Sequence, residues 1–435
     1  MITNRFKLKR FLLSALITTV FLVLSFILPS SALADEEEQG FARRFRFGTF
    51  GTLGLVYDSS DFHLQRDLGQ PDTFHGRYSL LLDSLIGAQV DFKVMDRLDA
   101  TVQMVAKERP EQTLEESLEW AFLRWSPDDN LMIRAGRLGL DLYLLSDYRN
   151  VGYAYLWQRP VVEFYNLLWI NNFDGGDISY RFRLGNGNMQ AKLFGGVMHR
   201  SIELVRAKGA NDFEYSMIGG KVSYENENLR ISAGYGHTTI LNNMKDSVSL
   251  MNPLLSVTSI WPQAAAISDR VSSKNKMFNF FSVGASYEDK DWVIQGEFGY
   301  LESNWSSLPS TLSGYLSVGH HFDDFTPYIV LAAVKSVGST AYNPPPPVTG
   351  DKATDAGLTT LYNAASSFTK GIRVDQRTIS LGLRWDFYHN MAMKFQWDLS
   401  EVGAAEGGLW WKPVPASLSE KTYVNLLSTS LNFAF

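Results

Sequence analysis

The chain has no cysteine among its 435 residues. That removes disulfides, thiol nucleophiles and cysteine-bound metals together. Long apolar runs are as scarce: beyond Leu28 no unbroken stretch reaches the roughly eighteen residues that a membrane-spanning helix needs. Histidine is sparse, at seven. Only His320 and His321 are adjacent, and neighbours on a strand point to opposite faces, which makes them a poor metal pair. Basic residues are in deficit, 40 Lys and Arg against 46 Asp and Glu, the wrong balance for a nucleic-acid partner. Enzyme signatures are missing as well. The glycines of "GTFGTLG" at 48–54 lie in a strand pattern with no helix following to hold a phosphate, and no G-x-S-x-G elbow occurs. No catalytic residue, metal ligand or cofactor is nominated.

What is present begins with a leader. Arg5, Lys7, Lys9 and Arg10 precede an apolar run from Phe11 to about Leu28, and Ala32 and Ala34 then occupy the A-x-A positions of a cleavage site. This is the layout of a secretory signal peptide, 1–34, with Asp35 as the first mature residue. Removing its four basic residues leaves 36 Lys and Arg against 46 Asp and Glu, a net charge of −10. The remainder, 35–435, shows no composition break and reads as one domain.

An aromatic content of 13% with 34 glycines and no long apolar run favours β-structure. The clearest window is 376–400. Ile379, Leu381, Leu383, Trp385 and Phe387 share one parity, and Ser380, Gly382, Arg384 and Asp386 the other. After a turn at 388–390, Met391, Met393, Phe395, Trp397 and Leu399 alternate with Ala392, Lys394, Gln396, Asp398 and Ser400. This predicts a hairpin with one apolar and one polar face, each arm long enough to cross a bilayer when tilted. The pattern recurs at 98–107, 177–184 and 291–301, whereas 325–337 reads as mixed.

Connectors fall into two sets. Seven are short and polar, near 95–98, 126–130, 184–188, 225–228, 288–291, 322–325 and 388–390. Eight are longer: 58–78, 108–116, 139–175, 198–212, 240–275, 302–310, 338–372 and 402–420. They delimit sixteen strands, and short turns on one side with long loops on the other are the mark of an outer-membrane barrel. "PPPP" at 344–347 falls in a long loop, where a stiff segment harms no ladder.

The alternation runs to the last residue, through Leu431, Phe433 and Phe435. A strand with no tail must be paired, and a closed sheet pairs it with the first strand, around 45–57. Here the sequence resembles the Gram-negative outer-membrane β-barrels, the general-diffusion porins in particular, whose chains end in a Phe within such a pattern. The resemblance implies an all-β, transmembrane, up-and-down antiparallel barrel. It implies that the barrel-assembly machinery reads Phe435, Phe433 and Leu431, that outer-membrane lipid surrounds the barrel, and that three copies form a homotrimer with loop 108–117 as a latch. It also implies passive diffusion of small hydrophilic solutes or ions.

A barrel of sixteen strands leaves an aqueous lumen. The long, aromatic loop 139–175 would be a sticky patch if exposed. Folded inward, it would narrow the lumen, as the third long loop does in the porins it resembles. Its carboxylates Asp141, Asp147, Glu163 and Asp174 are then candidate constriction residues. Opposite them stand the inward arginines Arg134, Arg181 and Arg183, with Arg384 on the last hairpin. Arg137 breaks parity with Arg134 and is expected at a bulge or the rim. Two other kinds of channel or barrel stay open: a substrate-specific channel with Tyr153, Tyr155 and Trp157 as a sugar slide, and a non-conducting barrel that is adhesive, through "PPPP" and 240–275, or hydrolytic.

Overall fold

Extended residues with alternating side chains put Leu53, Leu55 and Tyr57 on one face of the first strand and Thr52, Gly54 and Val56 on the other. Fifteen further strands repeat the device. The structure, a computed structural model, describes residues 44–435 except 61, 63, 68–76, 110–112, 169, 203–210, 372, 405–408 and 410–419. The expected leader, Asp35 and part of loop 108–117 lie outside the described residues.

The strands are β1 (Phe45–Asp58), β2 (Leu85–Met95), β3 (Leu98–Lys107), β4 (Leu118–Trp125), β5 (Leu131–Gly139), β6 (Asn172–Leu184), β7 (Gly187–Ile202) and β8 (Asn211–Glu225). They continue as β9 (Leu229–Ile240), β10 (Met277–Glu288), β11 (Trp292–Ser303), β12 (Thr311–His320), β13 (Phe325–Ser336), β14 (Asp375–Tyr388), β15 (Met391–Val402) and β16 (Thr422–Ala434). Each pairs antiparallel with its sequence neighbours. A two-residue bridge, Tyr78–Ser79, lies against β1.

The sheet closes as the terminal pattern requires. β1 pairs with β16 from Phe50↔Ala434 to Asp58↔Leu426. Phe435 then exchanges two backbone hydrogen bonds with Thr49, each 2.7 Å. Closure leaves no edge for another chain to join. The result is the expected sixteen-stranded up-and-down barrel.

Seven short turns and eight longer loops connect the strands, as the sequence indicates. Several turns place one residue in the left-handed region, Arg97, Gly185, Asp323 and Asn390, at φ 67°, 60°, 51° and 61°, a requirement of tight hairpin turns. The outer face is apolar around the barrel. Leu53, Leu193, Ile218, Leu316, Leu381 and Leu427 are between 46% and 66% exposed. At the short-turn end aromatic rings cluster outside this belt: Phe45 with Phe92 at 4.7 Å, Phe325 with Trp385 at 5.7 Å, Phe433 with Phe435 at 5.9 Å. Such a continuous apolar belt with an aromatic girdle is solvated by lipid, not water.

Two long loops carry helices that the strand reading did not anticipate. α1 (Lys245–Ser256) and α2 (Ala264–Val271) lie in loop 241–276, and α3 (Lys352–Thr369) in loop 337–374. They share a small core of Leu254, Trp261, Ile267, Val271, Leu358 and Ala365. The mixed strand is also explained. On β13, Ile329 and Leu331 face lipid, while Tyr328, Val330 and Val334 face inward and are buried. Both faces are apolar because protein covers the inner one.

Candidate functional site

The loop between β5 and β6 spans residues 140–171, slightly shorter than 139–175, because Gly139 and residues 172–175 belong to strands. Its apolar side chains leave water. Leu140, Leu142, Tyr143, Leu145, Trp157, Phe164, Tyr165 and Leu168 are all buried, and each such burial contributes about 1.5–3 kcal/mol. Their partners are inward residues of the wall, among them Phe194, Tyr215, Phe280, Leu301, Tyr315 and Val330. The loop therefore enters the barrel and lies across the lumen. The aqueous lumen expected of sixteen strands is corrected accordingly: part of the inner face is apolar and buried, because the loop packs on it.

Polar contacts hold the loop around most of the circumference. On one side Asp141 pairs with Lys192 of β7 and with Lys221 of β8 at 2.7 Å. Ser282 of β10 donates to the Leu142 carbonyl at 2.6 Å. Glu297 of β11 accepts the Leu144 amide at 2.8 Å and the Tyr165 hydroxyl. Farther along, Trp157 donates to Ser317 of β12 at 2.7 Å. On the opposite side Arg159 binds Asp83 at 2.8 Å and Ser428 of β16 at 2.6 Å. Lys394 of β15 donates to three loop carbonyls, of Gly152, Tyr155 and Trp157, at 2.5, 2.5 and 2.7 Å. Gly152 permits the closest approach: a Cβ there would collide with Thr52 and Asn432.

The first long loop, 59–84, joins in, which the sequence reading missed. Asp83 and Arg66 are buried beneath the inserted loop, and Arg66 donates to the Asp83 carbonyl at 2.9 Å. Asp67 bridges Lys107 of β3 at 2.9 Å and Arg149 of the inserted loop at 3.1 Å.

The loop is not packed away throughout. Residues 146–151 are intermediate to exposed, and Asp147 is exposed. Its carboxylate makes no hydrogen bond or ion pair among the described residues, yet it lies in the field of Asp141, Lys192, Arg134 and Lys221. The protein crowding around it, and then the neighbouring Asp141, push its pKa above the ordinary value. Asp141 behaves oppositely: against the upward push of burial, Lys221 and Lys192 hold its carboxyl far below the usual range. Toward the short turns the loop roofs a cavity of about 630 Å³, lined by Tyr148, Ala154, Arg230, Gln295, His321 and Arg384 among others.

The nominated residues are distributed as follows. Arg134 points inward but is bound by Asp177, directly opposite on β6, at 2.5 Å. Arg181 and Arg183 are exposed beside the short turn 185–186 and make no ion pair among the described residues. The expected pairing of these two with loop carboxylates does not form, because they sit at the mouth while the loop crosses deeper in the barrel. Glu163 is buried and accepts from Gln376 at 2.7 Å and from Thr378. Burial raises its pKa; it is a seated loop residue, not a lining one. Asp174 belongs to β6 and points outward, where it binds Arg137 at 2.8 Å. Its place in the constriction is corrected for that reason. Arg137 shows no bulge at its register with β6: it lies on regular parity and faces outward with Asp174. Arg384 is inward, paired with Asp386 at 2.7 Å, and donates to the Tyr153 carbonyl at 2.9 Å. Of the three aromatic residues expected to form a slide, Tyr155 and Trp157 are buried and Tyr153 is half-buried beneath Arg384 at 4.9 Å, so they form no exposed row.

Lys192, Lys221 and Lys394 are the functional side chains that parity alone could not single out. All three lie on the polar parity of their strands, but only the register and the seated loop show what they bind.

A closed sixteen-stranded barrel with a lipid-facing belt and an inserted loop defines the fold of the outer-membrane porins, and the belt sets the barrel in a lipid bilayer. A solved structure shares the architecture. OmpF of Salmonella typhi, solved with daunomycin, matches with a TM-score of 0.50 at 12% identity, covering 90% of this chain and 97% of that one. An anion-selective porin from Comamonas acidovorans gives a TM-score of 0.48 at 13% identity, covering 90% and 100%. At these identities the likeness concerns the fold alone. No family model matches the sequence, and no curated protein matches it.

Proposed function

We propose that this chain is an outer-membrane channel for passive diffusion of small hydrophilic solutes or ions, with a passage much narrower than its sixteen strands would allow. The observation that carries the reading is the inserted loop: it packs on the wall across the lumen yet leaves Asp147 exposed, in the field of Lys192, Lys221 and Arg134. A solute in that gap meets opposed charges across low-dielectric walls, a transverse field that orders water and disfavours apolar solutes. Size exclusion and local charge then select, with no chemical step. On this reading the chain is a transporter and not an enzyme, Arg384 and Arg134 shape the edges of the path, and the exposed mouth residues Arg181 and Arg183 contribute only a screened outer field. The terminal Leu431, Phe433 and Phe435 serve assembly, and a trimer is the expected form.

Planar-bilayer recording of the purified barrel with a panel of ions and sugars tests this. Small, resolved single-channel steps are expected. Their absence at every voltage would favour a second reading, motivated by the apolar filling of the lumen: a non-conducting barrel that displays the α1–α3 cap at the cell surface.

A further inference from the structure

Lys394 is fully buried on the inner face of β15. Its ammonium group has three hydrogens and makes three hydrogen bonds, all to backbone carbonyls of the inserted loop: Gly152, Tyr155 and Trp157. The ring of Tyr155 lies 4.5 Å from the same nitrogen. No carboxylate hydrogen-bonds to it among the described residues. The nearest acid on the adjacent strand, Asp386, is engaged by Arg384 through three hydrogen bonds. A charge taken out of water without a counter-ion is unfavourable unless every donor is met. Here the loop backbone alone meets them, and it does so only while residues 152–157 are seated.

We infer that Lys394 is the pin that holds the inserted loop across the lumen, a positioning residue that sets the width of the passage. The site is built for a lysine. Arginine keeps the charge, but its planar fork cannot place three donors on carbonyls gathered around one point. Methionine keeps the length and removes the donors. The Gly152 and Trp157 carbonyls then lose this donor, the Tyr155 carbonyl keeps only the longer bond from Arg384 at 3.3 Å, and Trp157 lifts from Ser317, to which it donates at 2.7 Å. The effect on current rests on the channel reading; the effect on loop position does not.

The absence of cysteine makes the test direct. Ser317→Cys places a near-isosteric thiol under Trp157, and labelling by a water-soluble maleimide reports whether the loop is seated. In the otherwise native chain labelling should be slow. With Lys394→Met or Lys394→Arg added it should rise roughly tenfold or more, the factor expected from losing charge-assisted bonds, while heat-modifiable gel mobility stays normal. Single-channel conductance should rise in the same variants. Unchanged labelling in folded Lys394→Met would overturn the assignment. Faster labelling with no current in either protein would leave the pin standing and remove the channel reading instead. Should Lys394→Met fail to fold, Lys394→Gln, which retains one amide donor group, carries the same comparison with a smaller rise.

Discussion

Lys192 and Lys221 stand directly opposite each other on β7 and β8, both aimed into the barrel, and Asp141 of the inserted loop bridges them. Two cross-strand lysines repel, so the wall is arranged around a carboxylate that arrives only when the loop is seated. Asp141→Asn should therefore cost about 3–5 kcal/mol, the penalty for leaving buried charges uncompensated. The measurement is the temperature at which the heat-modified gel band appears, which should fall clearly. Asp141→Asn combined with Lys192→Met and Lys221→Met should recover part of the loss. A transition temperature unchanged in the single variant would show that the lysines find water instead.

Asp147 should control ion selectivity, and its effect should depend on pH. Asp147→Asn should shift the zero-current potential in a salt gradient toward anions. In the native protein the same shift should appear on acidification. A carboxyl whose pKa is raised takes up its proton at a higher pH than an ordinary aspartate, near 3.9, whereas Asp141, held low by its lysines, stays ionised. The cation preference is thus full above the raised pKa and is lost as pH falls through it. An Asp147→Asn channel whose selectivity still titrates over that range would assign the effect elsewhere.

Arg181 and Arg183 occupy the mouth, beside the 185–186 turn and away from the loop. Replacing both with Gln should change selectivity only at low ionic strength. At 1 M salt, where charges are screened within about 3 Å, the double variant should match the native channel. A difference that persists at high salt would move these arginines into the narrowest part of the path.

Phe435 extends the β1–β16 seam by two backbone bonds to Thr49, and its ring stacks on Phe433 on the lipid face. Deleting it removes both bonds and one member of the aromatic girdle. The folded, outer-membrane-located fraction should drop, as judged by gel mobility after cell fractionation. Normal yield would separate closure of the sheet from recognition of the terminus.

Much of the barrel was legible because lipid imposes a period of two on every strand. In the 376–400 hairpin each apolar residue assigned to one face does face lipid, and the alternation of short turns with long loops gave the strand number. The reading weakened where that constraint is lifted. β13 looked mixed since its inner residues, Tyr328, Val330 and Val334, are covered by the loop and need not be polar. The helices of the cap stand outside the membrane, where the two-residue period has no force.

What the sequence by itself determined is the pattern that belongs to local geometry: which face of each strand meets lipid, where turns interrupt, and that the last strand must pair. Which charges meet was left to the tertiary structure. Arg134 faces Asp177, Arg137 faces Asp174 and Lys192 faces Lys221 through the register of neighbouring strands, and register depends on the whole closed sheet. Asp141, Arg159 and the carbonyls on Lys394 reach partners on strands distant in sequence. No local period encodes such contacts. They follow from a greasy loop leaving water for the only protected space within reach, the interior of its own barrel.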